Sequence, residues 1–325
     1  MVNGRNSRVL LTGATGFIGS AVHHSLIRAG LPAVRRLIRG DVPTGLAGPA
    51  RAFRGDLTDP ASLRGSCDDI DVIVHAASHV GADARRCREV NHLGTCHLLA
   101  EAARADVRHV IYISTAAVYG AGPHRGLTEG VRDPAPVSPT SASRAAAEAE
   151  VLARGGTVLR PHLVYGSGDR WVVPTLAALL GWLPGWIDGG RPRLSMIGVH
   201  DLARLVVALV VTPAPPGTVY HANHPDPVTV HAAGEALARH LGVRLPTGDV
   251  RAAALADLTL PPGLRRRHLD LISMDHWYDS DRVWAATGCR PGAAFPNDLA
   301  RAAQWYPDLA RAASPTPHPG ADTCD

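Results

Sequence analysis

Three glycines spaced three residues apart follow the first short apolar run of the chain. The run covers residues 8–12 and is typical of a buried strand, and the glycines are Gly13, Gly16 and Gly19. A helical pattern then continues to about Gly30. A strand, a glycine-rich turn and a helix N-terminus in this order indicate a loop that holds a pyrophosphate, because free N–H groups and the positive end of the helix dipole face the anion. Gly13 would allow the tight turn, and Gly16 would allow the backbone to approach the phosphate. Gly19 would allow the helix to pack closely on the strand.

Short apolar runs alternate with helical patterns through the first half of the chain. Further strands are predicted at residues 33–38, 51–54, 71–75, 109–114 and 157–160, and helices at 84–104 and 141–154. The alternation predicts an α/β fold, a Rossmann-type doubly wound parallel sheet.

The pattern loosens after about residue 166, where prolines and tryptophans become frequent. We therefore expect a smaller, mostly helical C-terminal substrate part, with some segments returning to the sheet. The predicted divisions are a nucleotide-binding Rossmann domain over residues 1–165, the substrate part over 166–312 and a disordered tail over 313–325.

Lysine is absent from the 325 residues, so all 33 basic side chains other than histidine are arginines. This excludes a Schiff-base lysine, a P-loop lysine and a Tyr-xxx-Lys pair. The 29 acidic residues are interspersed with the arginines, so we expect no nucleic-acid partner. The longest aliphatic run, at residues 205–211, is far shorter than the ~20 residues that span a bilayer, so we expect no membrane partner.

The cysteines form no CxxC pair. They are Cys67, Cys87, Cys96, Cys289 and Cys324. An odd number of cysteines and no apparent signal sequence predict a reducing, cytoplasmic location. The stretch from residue 75 to residue 97 is rich in histidine and cysteine, but its spacings match no zinc template, so no metal site is predicted.

The glycine loop, TGATGFIG, resembles the loop of the extended short-chain dehydrogenases/reductases, the NAD(P)-dependent epimerase/dehydratase group. The resemblance covers about residues 8–230. It continues in order through GDL at 55–57, VHAA at 74–77, NxxGT at 91–95, STAAVYG at 114–120, LRPxxxYG at 159–166 and VHDLA at 199–203. It implies that Asp56 and Leu57 flank the adenine, that residues 75–77 line the dinucleotide and that residues 161–163 lie by the nicotinamide. The candidate cofactor-binding residues are Gly13, Thr15, Gly16, Phe17, Ile18, Gly19, Arg39, Asp56, Leu57, His75, Ala76, Ala77, Ser114, Arg144, Pro161, His162 and Leu163.

The end of the second predicted strand favours NADP(H) over NAD(H). An acidic residue there would bind the ribose 2′-hydroxyl and repel a 2′-phosphate. The chain has Arg39 at this place and no carboxylate before Asp41. An arginine can pair with a phosphate through two hydrogen bonds and stack on adenine. The alternative is that Arg39 is merely solvated and that NADH is accepted too.

The catalytic positions of the family are altered in this chain. Relatives use a Ser/Thr and a Tyr-xxx-Lys pair on one helix, and these positions fall on Thr115, Thr140 and Arg144. An aliphatic hydroxyl is a far weaker acid than a phenol, and arginine keeps its proton but can still hydrogen-bond a ribose. The chain is therefore either an inactive binder of NADP or an oxidoreductase whose proton comes from elsewhere, with Thr140 as a lining residue.

The remaining signals favour reduction of an aromatic ketone. Ala116 and Ala117 stand where dehydratase relatives place acidic residues, which disfavours dehydration. The aromatic and thioether side chains of the second half suit an aromatic ligand, and they are Trp171, Trp182, Trp186 and Met196. The altered positions resemble angucyclinone-type ketoreductases, which implies an NADPH-dependent reduction of an aromatic polyketide whose own phenol activates the ketone. A nucleotide-sugar epimerase or reductase and a silent NADP-binding regulator remain the alternatives, and the chain would be a monomer or a homodimer.

Overall fold

The computed structural model describes residues 7–31, 33–40, 51–251, 259–261, 263–307 and 309. Its strands, in chain order, are β1 (Arg8–Thr12), β2 (Ala33–Ile38), β3 (Arg51–Arg54), β4 (Val72–His75), β5 (His109–Ile113), β6 (His124–Leu127), β7 (Thr157–Arg160), β8 (Leu163–Tyr165), β9 (Trp186–Ile187), β10 (Arg193–Leu194), β11 (Met196–Gly198), β12 (Val219–His221), β13 (Val228–Thr229), β14 (Asp249–Val250) and β15 (His276–Tyr278).

The helices surround these strands. They are α1 (Phe17–Arg28), α2 (Ala84–Cys87), α3 (Gly94–Arg104), α4 (Pro139–Ala153), α5 (Val172–Trp182), α6 (Val199–Val211), α7 (Val230–Leu241), α8 (Arg266–Ser273), α9 (Asp281–Thr287) and α10 (Phe295–Ala302). A π-helical segment, Arg88–Leu93, joins α2 to α3. In the part of the chain that the structure describes, no helix combines the length and the apolar character needed to cross a bilayer.

Seven strands form the main sheet in the order β12-β7-β5-β4-β1-β2-β3, and each neighbouring pair is parallel. The predicted doubly wound α/β sheet is therefore confirmed, and β12 is a segment of the second half that returns to it. Because β1 lies between β2 and β4, the strand order reverses direction at β1. Ligands of open parallel sheets bind at such a switch point, at the carboxyl ends of the strands.

Alternate residues of β1 pack against different helix layers. Val9 and Leu11 belong to a core cluster with residues of α1 and α6, whereas Leu10 belongs to a cluster with residues of α3 and α4. All three side chains are fully buried. A strand covered on both faces needs a continuous apolar run, which residues 9–11 supply.

A third core cluster holds the C-terminal part together, with residues of α5, α7, α8 and α10. Short strands accompany these helices, in a sheet of order β13-β10-β15-β6 and in the pairs β8–β11 and β9–β14. The domain boundaries at residues 165 and 312 stay a prediction, and the predicted tail, 313–325, lies outside the described residues.

Candidate active site

A cavity of about 250 Å³ opens at the carboxyl ends of β1, β2 and β4. It lies at the switch point of the sheet, between β1 and its neighbours. Its lining residues are Thr12, Gly13, Thr15, Gly16, Leu37, Ile38, Arg39, Gly55, Asp56, Leu57, Ala76, Ala77, Ser78 and Val90.

The glycine loop has the shape that close contact with an anion requires. Gly13 has φ +71°, and a Cβ atom there would lie 2.6 Å from the backbone nitrogen of Ala77. A Cβ atom at Gly19 would lie 2.0 Å from the carbonyl oxygen of Gly13, so the helix can sit this close to the loop only without a side chain. Gly16 is the N-cap of α1 and makes no side-chain cap, which leaves the first N–H groups of the helix open toward the cavity. The loop therefore fits a dinucleotide pyrophosphate.

A buried chain of hydrogen bonds fixes the strand ends beneath this cavity. Thr95 donates its hydroxyl proton to the carbonyl of Asn91 at 2.6 Å and so accepts from Nε2 of His75 at 2.9 Å. Nδ1 of His75 is then the acceptor for the hydroxyl of Thr12 at 2.6 Å, and Thr12 in turn accepts from the N–H of Ala77. Burial, with a smaller effect of the nearby Arg144 charge, lowers the pKa of His75 to about 3. His75 is therefore a neutral side chain that positions the ends of β1 and β4.

Arg39 and Asp56 both line the cavity, where β2 and β3 end. Arg39 is exposed, and its charge acts on Asp56. Burial opposes ionisation of Asp56, but hydrogen bonds from the N–H and hydroxyl of Thr58, together with the charges of Arg39 and Arg86, outweigh it and lower the pKa of Asp56. The cavity thus offers one cation and one carboxylate. Asp41, the first acidic residue after β2, lies outside the described residues.

The cavity brings together eight of the candidate cofactor-binding residues, namely Gly13, Thr15, Gly16, Arg39, Asp56, Leu57, Ala76 and Ala77. Phe17, Ile18 and Gly19 begin α1 directly beside it. The other candidates lie outside its lining, and they are His75, Ser114, Arg144, Pro161, His162 and Leu163. Among these, His162 packs against the rings of His276 and Tyr278, and its Nε2 atom is buried without a hydrogen-bond partner among the described residues.

Six further lining residues were not among the candidates, and they are Thr12, Leu37, Ile38, Gly55, Ser78 and Val90. Three of them end a strand or directly follow one, namely Thr12, Ile38 and Gly55. The parallel order of β1, β2 and β4 was the signal that could have identified them, because the carboxyl ends of parallel strands meet at one edge of the sheet.

Thr140 holds a loop in place. Its hydroxyl donates to the carbonyl of Gly81 at 3.0 Å and accepts from the N–H of the same residue at 3.1 Å. The hydroxyl lies in the first turn of α4, so these bonds fasten the segment after β4 to that helix. The proton that a general acid would have to release is engaged with backbone.

Arg144 is also bonded to backbone, through one of its guanidinium nitrogens, whereas its Nε is buried without a hydrogen-bond partner among the described residues. One guanidinium nitrogen donates to the carbonyls of Ile113 at 2.6 Å and Ser114 at 2.8 Å, at the carboxyl end of β5. Arg144 and Thr140 lie one turn apart on α4, as the spacing predicted, but they bind two different segments. The arginine thus stabilises a strand end that β5 presents to the site.

Thr115 differs from Thr140 and Arg144 in its hydrogen bonding. It follows Ser114, it is half-buried, and its hydroxyl oxygen accepts from the N–H of Ala117 at 3.1 Å. Its proton has no acceptor among the residues that the structure describes. Of the two hydroxyls at the catalytic positions, those of Thr115 and Thr140, only that of Thr115 has a proton without an acceptor among the described residues.

Tyr119 is not available as a replacement acid. Its side chain is fully buried, its hydroxyl donates to Nε2 of His221 at 2.7 Å, and it accepts from Arg160 at 2.6 Å. Burial raises the pKa of Tyr119 in spite of the Arg160 charge. This phenol is part of the core.

Asn91 is a positioning residue whose function the sequence did not indicate. Its side-chain oxygen accepts from the N–H of His79 at 2.7 Å, and its amide nitrogen donates to the carbonyl of His79 and to the hydroxyl of Ser143. It therefore ties the loop after β4 to α4, beside the bonds that Thr140 makes.

The family of the chain follows from a match to a family model that covers residues 9–222, the NAD dependent epimerase/dehydratase family. The chain belongs to this family. The match includes the glycine loop, the strand ends around the cavity and the positions of Thr115, Thr140 and Arg144. The chain is thus a member of a family of NAD(P)-dependent enzymes, as the resemblance of its motifs indicated.

Relatives in the epimerase/dehydratase family include reductases and dehydratases. The chain is 29% identical over 266 residues to a 4-hydroxy-2-methyl-3-oxo-4-farnesyl-3,4-dihydroquinoline-1-oxide ketoreductase of Stigmatella aurantiaca, covering 76% of this chain and 78% of the relative. It is 26% identical to a 2-alkyl-3-oxoalkanoate reductase of Stenotrophomonas maltophilia, covering 90% and 98%. A solved dTDP-glucose 4,6-dehydratase double mutant from Streptomyces venezuelae, with NAD bound, superposes with a TM-score of 0.74 at 24% identity over 93% of this chain and 97% of that one.

Proposed function

We propose that this protein is an NADPH-dependent ketoreductase that reduces a ketone of an aromatic polyketide to an alcohol, with the substrate's own neighbouring phenol assisting protonation. The observation that carries the proposal is the engagement of Thr140 and Arg144 with backbone. Neither residue supplies a proton to a substrate. A ketone that is already hydrogen-bonded to its own phenol needs no acid from the protein.

The residues that line the cavity are suited to bind NADPH. The open N-terminus of α1 and the glycine loop would bind the pyrophosphate, and Arg39 would pair with the 2′-phosphate. The cofactor, when bound, supplies the hydride. Thr115 would donate its hydroxyl to the ketone oxygen and orient it, a contribution of roughly 1 kcal/mol.

Exposed apolar side chains near the altered positions favour an aromatic substrate. Val80 precedes the Gly81 that Thr140 binds, Val137 precedes α4, and both are largely exposed. Trp171 is 73% exposed and follows a loop in which Gly168 lies against Phe17 of α1. Val80 and Val137 thus lie in or beside the two segments that Thr140 joins, where an apolar ligand would contact them.

The other three residues that seemed suited to an aromatic ligand are core residues. Trp186 and Met196 are buried, and Trp182 packs against the same C-terminal cluster. Trp171 alone of this group is exposed. Support for the ketone comes also from the Stigmatella aurantiaca relative, which by its name reduces a ketone of a quinoline ring system.

The test is NADPH oxidation with matched substrates. A polycyclic ketone with a neighbouring phenol should be reduced, and its methyl ether should be reduced about 10²–10⁴-fold more slowly, the usual effect of removing an acid. Equal rates would show that the proton comes from the protein. Turnover of nucleotide sugars instead of ketones would favour an epimerase, and tight binding of NADPH without turnover of any substrate would favour a silent regulator.

A further inference from the structure

Three different ligand groups meet between α3 and α4, away from the residues that line the cofactor cavity. His92 lies in the π-helical segment, Cys96 lies four residues later in α3, and Glu150 lies in α4. Nε2 of His92 is 3.9 Å from Oε1 of Glu150. One ligand atom from each residue lies within 4.8 Å of the other two. The helices thus bring an imidazole, a thiol and a carboxylate together at one point.

The spacing suits a small tetrahedral cation. Bonds of about 2.0–2.3 Å place neighbouring ligand atoms of a tetrahedral zinc site roughly 3.3–3.7 Å apart. The observed separations, 3.9 Å for one pair and at most 4.8 Å for the others, exceed that range by no more than about 1.5 Å, and the side chains are exposed or half-buried. A thiolate and a carboxylate balance the two positive charges of the ion, and the imidazole binds as a neutral ligand. Nitrogen, sulfur and oxygen ligands together select zinc over magnesium or calcium, which prefer oxygen alone.

We propose that His92, Cys96 and Glu150 bind a divalent cation of the zinc class, with water in the fourth position. The cation links α3 to α4, the helix that carries Thr140 and Arg144. The proposal does not depend on the proposed ketoreductase activity, because it rests on these three side chains alone.

Binding of the cation displaces a proton from the protein. The thiol of Cys96 loses its proton to solvent, and the thiolate sulfur forms the bond to the cation. Burial and the negative charge of Glu150 raise the pKa of Cys96 above that of an ordinary thiol, so the thiol is protonated at neutral pH before the metal arrives. About one proton should therefore be released per cation, and affinity should rise roughly tenfold per pH unit.

His75 and Cys87 of this stretch take no part. His75 is held by Thr12 and Thr95, and the thiol of Cys87 lies beside Gly81 and Thr140. The spacings of residues 75–97 match no zinc template because the third ligand, Glu150, comes from a helix more than 50 residues later. Only the packing of α3 against α4 brings Glu150 to the other two ligands.

The experiment is a titration of the metal-free, tag-free protein with Co²⁺. We expect one equivalent to produce a thiolate-to-cobalt charge-transfer band in the near ultraviolet and the intense visible bands of tetrahedral cobalt, and Zn²⁺ to displace it. Cys96→Ser should abolish the charge-transfer band. His92→Ala and Glu150→Gln should weaken Co²⁺ binding by about 100-fold or more, since even the loss of an outer contact to a metal ligand costs 10–100-fold.

Cys289→Ser is the matched control, because Cys289 is also half-buried but has none of these neighbours. It should bind Co²⁺ as the parent protein does. All variants should have the parent's melting temperature in the presence of chelator, since the three side chains lie at the surface of the helix pair. A titration without a thiolate band, or a band that persists in Cys96→Ser, would overturn the proposal.

Discussion

Arg39 is the residue at which the choice between the two nicotinamide cofactors can be tested. It lines the cofactor cavity where β2 ends and is exposed. A charge-assisted, two-point contact with the 2′-phosphate is worth roughly 1.5–3 kcal/mol. We expect Arg39→Ala to weaken NADPH binding by about 10- to 100-fold and to leave NADH binding within about threefold. Calorimetric titration with both cofactors measures this.

Arg28→Ala is the control for this measurement, since Arg28 lies in the last turn of α1, at the opposite end of the helix from the glycine loop. Arg28→Ala should change neither the affinity for NADPH nor the affinity for NADH. Equal affinities of the parent protein for NADPH and NADH, or an unaltered preference in Arg39→Ala, would refute the assignment of Arg39 to the 2′-phosphate.

Thr140 distinguishes a positioning hydroxyl from an acid. Thr140→Val keeps the branched shape but removes both bonds to Gly81, each with a net value of about 1 kcal/mol. We expect a raised KM, because the loop that carries Val80 loosens, and a loss in kcat of less than about tenfold. A general acid would cost 10²–10⁴-fold in kcat. Steady-state reduction rates separate the two outcomes.

Thr140→Ser restores the hydroxyl and should restore KM. If Thr140→Val instead abolishes kcat at an unchanged KM, Thr140 is an acid and the substrate-assisted mechanism is wrong. The spacing of Thr140 and Arg144 was predictable from the helical repeat, but their backbone partners were not. Gly81 lies 59 residues away and β5 about 30, and only the packing of α4 on the sheet brings them together.

At the scale of elements, α4 is joined to the sheet by a buried ion pair. Glu148 of α4 accepts from Arg160 at the end of β7, with an Nε to Oε2 distance of 3.1 Å, and both side chains are more than 90% buried. Glu148→Gln keeps the volume but leaves the arginine charge uncompensated in the core. We expect a loss of about 3–5 kcal/mol in the free energy of unfolding, measured by urea denaturation.

Glu235→Gln is the control, because Glu235 of α7 is half-exposed and, within the described part of the chain, forms an ion pair with His231 alone. It should change the free energy of unfolding by less than about 0.5 kcal/mol. A Glu148→Gln variant as stable as the parent would show that water reaches the Arg160 side chain and that the pair does not fasten α4.

Six of the seven strands of the main sheet were predicted, because each is a short run with apolar residues that lies between turns and helical patterns. The seventh, β12, is only three residues long and was not predicted as a strand. β1, β2, β3 and β7 have the predicted bounds. The helix predicted at 84–104 contains the π-helical segment, which a period of 3.6 residues does not reveal. The C-terminal strands have only two or three residues, such as β10 and β13, and their pairing depends on contacts distant in sequence.

At the scale of the whole molecule, buried neutral histidines make folding depend on pH. Burial, together with the charge of Arg144, lowers the pKa of His75 to about 3, and burial, together with His276 and His124, lowers the pKa of His162 to about 3. The unfolded chain has ordinary histidines that bind protons below a pKa of about 6.5. The unfolded state therefore gains protons that the folded state does not take up, and stability is lost as pH falls from about 6.5 toward 3.

Each such histidine should reduce the free energy of unfolding by up to about 1.4 kcal/mol per pH unit in this window. Urea denaturation at pH 7.5, 6.0 and 5.0 measures how the free energy of unfolding changes with pH. In this range mainly histidines titrate, since carboxyl groups titrate nearer pH 4. His162→Phe keeps a ring against His276 and Tyr278 but cannot bind a proton. The free energy of unfolding of this variant should therefore change less with pH than that of the parent, by the contribution of about one proton. A parent protein equally stable at pH 7.5 and 5.0 would contradict this account, because the core would then admit charged imidazoles at no cost.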